Sequence, residues 1–243
     1  MEMNPRFTSS RANANSCCGG TRDGRESYSS ALEFHRMTRG QTLAMMQELS
    51  QSQLDYKPAS GKWSVGEVLD HLILGQRLNL CYIAEVIAMK AAGKPPVLRL
   101  SSTDVDVSIG YIPRRLLPAL EVPFTVLNLF LPSSVRDFMT RNPLIPAQNP
   151  EVTNPRRARP AEELRNDLIS SLKETDALLE SHADLADGTM MIQHPLVGNN
   201  SLPGLLRFLA LHEQRHQSQI NDIRTNPQFP KSDSSGVGDP HVE

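Results

Sequence analysis

The chain has 243 residues, 25 basic against 27 acidic, a formal net charge of -2 and 39% hydrophobic content. That is enough to bury one ordinary core with some polar chain to spare. The near-neutral balance offers no general field to nucleic acid or to an anionic membrane, so neither is expected as a partner.

Residues 1–27 are polar and poor in aliphatic side chains, which predicts a disordered N-terminal tail. They hold no apolar core of a secretory signal, and export is not expected. Cys17 and Cys18 are adjacent there, and Cys81 stands alone in an apolar stretch where it reads as a small core residue. No disulfide framework follows from three such cysteines, and a cytoplasmic location fits best.

A first helix is predicted from about Ser29 to Ser50, with Leu32, Met37, Leu43, Met46 and Leu49 on a broken apolar face weakened at Gly40. A loop over 54–62 precedes a well-written helix start. Ser64 can cap, Glu67 completes a capping box, and Trp63 with Val68 is placed as a hydrophobic staple. This second helix should run through His71 to about Met89, before Gly93 and Pro95. Residues 95–160 hold eleven of the eighteen prolines and so predict a long connector with only short helices, for example around 113–120 or 133–140. Within it, Leu116 to Leu131 is too interrupted to span a membrane. The basic knot Arg156-Arg157-Ala158-Arg159 reads as solvated chain. A third helix starts after Pro160 and carries Leu164, Leu168, Leu172 and Leu179 to near His182. After a loop over 187–200, a fourth runs from about Ser201 to Thr225, with Pro203 in its first turn. Residues 226–243 read as a disordered C-terminal tail. With no alternating strand pattern, the expectation is an all-α chain. Residues 28–225 would form a four-helix bundle with a long crossover connector between the second and third helices.

His212 and His216 lie four residues apart on the fourth helix, in register with Leu205, Leu209, Ile220 and Ile223. They therefore project from one apolar face and can share a metal ion. Two imidazoles make an incomplete site. His71, the only histidine within the second helix, is the candidate for a third ligand, although alone it would read as a core histidine.

The run Pro58-Ala59-Ser60-Gly61-Lys62-Trp63-Ser64-Val65-Gly66-Glu67-Val68-Leu69-Asp70-His71-Leu72, with His194-Pro195-Leu196-Val197-Gly198 and His212-Glu213-Gln214-Arg215-His216-Gln217-Ser218-Gln219-Ile220, resembles the DinB-like superfamily over roughly Tyr28 to Thr225. The resemblance implies a four-helix bundle, often dimeric, with His71, His212 and His216 binding a divalent ion such as zinc, nickel, manganese or iron. Three neutral imidazoles with an open position describe a catalytic centre more than a closed structural one. The implied activity is hydrolysis or transfer of a low-molecular-weight thiol to a small-molecule substrate. The alternative is a non-catalytic metal-binding bundle with a structural, dimerisation or stress-related role.

His212-Glu213-Gln214-Arg215-His216 also fits the H-E-x-x-H pattern of zinc proteases. Only Asp222 and tail residues lie downstream as a third ligand, and Gln219 stands where a helix-ending glycine would be needed. Glu213 therefore reads as a solvated or supporting residue rather than a base, and Glu67 as a cap. His194 is expected in a loop, as a bystander or at a pocket mouth. His35, His182 and His241 are expected at the surface or in a tail.

Overall fold

The computed structural model describes residues 28–101, 108–109, 133–141, 147–148, 151–186, 188–194 and 198–231. The tail expected over 1–27, the helix expected over 113–120 and His241 lie outside the described residues.

Helix α1 covers Tyr28–Gln47 and passes through Gly40 without a break. It stops short of the expected Ser50 because that residue starts a helix of its own. The Ser50 hydroxyl accepts from Gln53 N–H, and the Gln53 side chain accepts from Ser50 N–H, which caps α2, Gln51–Asp55. Helix α3, Val65–Ala91, opens on the predicted box. Ser64 Oγ accepts from Glu67 N–H at 3.2 Å, and Glu67 Oε2 accepts from Ser64 N–H at 2.8 Å. Gly66 allows α2 to come close, since a Cβ there would lie 3.2 Å from the Leu54 carbonyl oxygen. Gly93, at φ 67°, follows the end of the helix in a conformation that glycine adopts freely.

The connector then contributes strand β1 (Val97–Arg99), β2 (Ser108–Ile109), helix α4 (Ser133–Arg141), β3 (Ala147–Gln148) and a 3-10 turn at Glu151–Thr153. Helix α5 spans Ala161–Ser181. Strands β4 (Met191–His194) and β5 (Gly198–Ser201) form a hairpin that leads into α6, Leu202–Arg224, capped by Ser201 with Pro203 in its first turn.

The chain is mostly helical, but the all-α expectation is corrected by a three-stranded sheet of order β1-β4-β5, parallel at β1–β4 and antiparallel at β4–β5. β2 and β3 form a second, two-stranded pair. These strands have two to four residues, too few for an alternating pattern to register.

Helix α1 packs against α5 and α6, and α3 packs against the same two. One apolar cluster joins Ala31, Ile83, Leu179 and Leu206 to Leu98 and Ile192 of the sheet. Another joins Met46, Leu54, Leu69, Leu164 and Ile220. Between them, all four long helices contribute buried polar groups. His35 Nε2 donates to Gln76 Oε1 at 3.0 Å, and Gln76 Nε2 donates to Thr175 Oγ1 at 2.7 Å. Arg39 Nε lies 2.9 and 3.1 Å from the two Glu213 oxygens, and Arg39 Nη1 donates to Ser171 Oγ at 3.2 Å. His35 is thus fully buried rather than superficial, and Cys81 is exposed rather than in the core.

The packed chain continues past Thr225. Tyr56 Oη donates to Asn226 Oδ1 at 2.9 Å and its ring meets Phe229 edge-on, so residues 226–230 dock beside α2. By length and composition α3 could cross a membrane. Its buried Asp70, His71 and Gln76 nevertheless bond to other elements of the fold.

Candidate metal centre

The capping box holds the start of α3 in place, and His71 follows two turns in. His212 and His216 come from the middle of α6, on the face turned toward α3. The structure brings the three together. One ring nitrogen from each lies within 4.8 Å of the others, and the ring centroids are 4.6 to 5.4 Å apart. An ion bound tetrahedrally at about 2.1 Å would hold its nitrogens about 3.4 Å apart, within reach of modest side-chain movement.

Hydrogen bonds set the tautomers. The Thr153 carbonyl can only accept, so His71 donates to it from Nδ1 at 2.9 Å and keeps its lone pair on Nε2. That Nε2 is buried and has no hydrogen-bond partner. His216 donates from Nδ1 to Gln219 Oε1 at 2.8 Å, which again leaves Nε2 as the acceptor. His212 Nε2 lies 3.2 Å from His216 Nε2 and so carries the proton between them. His212 is the ring whose proton must leave that nitrogen before all three lone pairs can serve one ion. The group can hold a metal ion, and its orphaned nitrogen is the observation that fits one.

The rings are kept neutral. Burial and the charge of neighbouring His216 and His71 hold His212 well below its ordinary value, and burial holds His216 down to about 3. Burial also lowers His71, against the bond to Thr153. Neutral imidazole is the form that binds metal.

Next to His71, Asp70 fastens the connector to α3. Its fully buried carboxylate accepts the backbone N–H of Arg156 at 2.7 Å, Arg156 Nη2 at 2.8 Å and Arg159 Nη1 at 2.9 Å. Burial pushes this carboxyl up, but the bonds and charge of Arg156 and Arg159 override it and hold it below the usual value. The knot read as solvated chain is therefore corrected at two of its three arginines, because a counter-charge 86 and 89 residues away cannot be seen locally.

Glu67 is engaged by its cap and by Lys57 at 2.8 Å. Glu213 is turned toward α1, where Arg39 and Thr42 bond both of its oxygens, so neither acid joins the triad. Glu213 is 2% exposed, which corrects its reading as solvated and leaves the protease pattern without its base. His194 lies on β4 rather than in a loop, outside the triad, and burial lowers it to about 4. Three contributors went unread in the sequence. Thr153 acts through its backbone, which residue type does not reveal. Trp63 reaches past its staple position to lie 4.9 Å from the His71 ring and 6.4 Å from the His216 ring. Phe208, one helical turn before His212, stacks on it at 5.9 Å, and that i, i+4 spacing was a usable signal.

In comparisons with known proteins, the model of one family, the DinB superfamily, matches residues 35–220. No curated protein and no solved structure matches the chain.

Proposed function

The chain belongs to the DinB superfamily, and on that footing we propose that His71, His212 and His216 hold one divalent ion in an enzyme acting on a small molecule. The reaction is hydrolysis or transfer of a low-molecular-weight thiol. The observation that carries this is His71 Nε2, a buried lone pair without a partner beside two other neutral imidazoles. Leaving such a nitrogen empty costs stability, and an ion would satisfy it. Imidazole donors suit zinc, nickel and iron, with manganese behind them.

When bound, the ion supplies the Lewis acidity that makes a water or a thiol nucleophilic near neutral pH. The protein's own groups prepare the site. Thr153 and Gln219 hold protons at the far nitrogens of His71 and His216, and Trp63 and Phe208 lay apolar surface against the rings. The same proposal takes the four long helices as one bundle with a crossover through 95–160. It also places the protein in the cytoplasm without nucleic-acid or membrane partners, which its near-neutral charge and unpaired cysteine pattern support, and takes it as a homodimer on the family resemblance alone.

Trp63 is the chain's one tryptophan, so its fluorescence reports the site. Adding nickel should quench it to an end point at about one ion per chain, and His71→Ala should abolish the end point while leaving the helical signal intact. Consumption of a small thiol with an electrophile should depend on metal and vanish in His212→Ala. Absence of any uptake would defeat the proposal. Because the triad ties α3 to α6, loss of the fold in His71→Ala, with metal uptake but no turnover in the parent, would favour the non-catalytic role.

A further inference from the structure

Arg215 sits three residues after His212 and one before His216, about 60° and about 100° round α6 from them, on the flank of the histidine pair that faces away from Glu213. Its side chain is about half buried, and among the described residues no acidic group, hydrogen bond or ring engages it. The buried carboxylates of α3 and α6 are all taken by other cations. Glu67 has Lys57 and Arg157, Asp70 has Arg156 and Arg159, and Glu213 has Arg39. Arg215 therefore gives up part of its hydration with no counter-charge in return, which is unfavourable. Its charge acts on all three imidazoles and contributes to holding each of them neutral. A divalent ion on three neutral rings would add further positive charge, and the triad itself contains no carboxylate to offset it.

We propose that Arg215 binds a carboxylate on the small molecule that the triad's ion engages. The inference rests on the metal reading and extends it by naming the substrate class: a small acid whose reacting group, such as a thiol, lies a few bonds from its carboxylate. A carboxylate fits better than a phosphate. The planar guanidinium pairs with it through two parallel bonds. A doubly charged phosphate calls for several donors or a free helix N-terminus. The start of α3 is closed by Ser64 and Glu67, and α6 begins 13 residues before Arg215, about 20 Å away.

The test compares 3-mercaptopropionate with its neutral isostere 3-mercaptopropionamide by calorimetry, on the full chain in zinc-loaded and chelator-treated forms, with zinc content measured in each sample. The acid should bind the zinc-loaded protein at least about tenfold more tightly than the amide. Arg215→Gln should erase that preference with zinc content unchanged, and Arg215→Lys should keep part of it. Equal binding of acid and amide, a preference that survives in Arg215→Gln, or no binding of either overturns the proposal. If the chain takes up no zinc, the metal reading fails by itself. The comparison on zinc-free protein then decides the carboxylate site: an Arg215-dependent preference upholds it, and the lack of one overturns it.

Discussion

Replacing Asp70 by alanine tests how the connector controls the metal centre. The carboxylate holds Arg156 by its backbone N–H, and Thr153, three residues earlier, presents the carbonyl that orients His71. Bonds to charged groups contribute about 1.5–3 kcal/mol each when buried. The Arg156 side chain is 55% exposed, so its guanidinium contacts count for little, and Arg159 keeps Asp167 at 2.8 Å. What remains is chiefly the bond to the Arg156 N–H and part of the Arg159 pair, giving an expected loss of about 3 kcal/mol in urea unfolding. Loosening the Thr153 carbonyl should also lower zinc affinity by about 10- to 100-fold, measured by competition with a chromophoric chelator without denaturant. Asp70→Asn should fall between the parent and Asp70→Ala in both measures. If Asp70→Ala loses stability but binds zinc as tightly as the parent, the connector does not aim His71 and the reasoning fails.

Glu213→Ala should destabilise the fold by about 3–5 kcal/mol, because it strands the Arg39 guanidinium in the interior. Zinc stoichiometry of the folded fraction should stay unchanged, and a selective loss of zinc at full stability would refute the structural role assigned to Glu213. His35 is held below its ordinary value by burial and then by the charge of Arg39. Its neutral native form therefore adds no pH dependence above about 6.5, where the unfolded chain is neutral too. Below that, the unfolded chain gains a proton that the native state excludes. Unfolding at pH 7 and 5.5 should show the parent losing more stability than His35→Gln, by up to about 1.4 kcal/mol per pH unit. Parallel losses in the two proteins would contradict this.

The long helices could be read from the sequence because their signals are local. Ser64 and Glu67 announce the start of α3 three residues apart, and Ser201 with Pro203 announces α6. Ser50 and Gln53 carried the same kind of message for α2, but it was lost inside a longer apolar pattern. The i, i+4 spacing of His212 and His216 showed their common face, whereas the place of His71 beside them needed the family resemblance. Long-range partners stayed hidden. Nothing near Asp70 foretells Arg156, and nothing near His35 foretells Gln76 41 residues away. The strand β1 pairs with β4 across more than ninety residues, a distance that no window of periodicity covers.

The polar layer between the two apolar clusters has a consequence for alignment. Leucine against leucine tolerates sliding, and a helix in a purely oily interior can shift by one turn at little cost. Here a one-turn slip of α6 along α1 would carry Glu213 away from Arg39 and leave two bare charges facing aliphatic carbon, at a cost of several kcal/mol. The ion pair therefore acts as a vernier, fixing both height and rotation of the helix that carries His212 and His216 beside it.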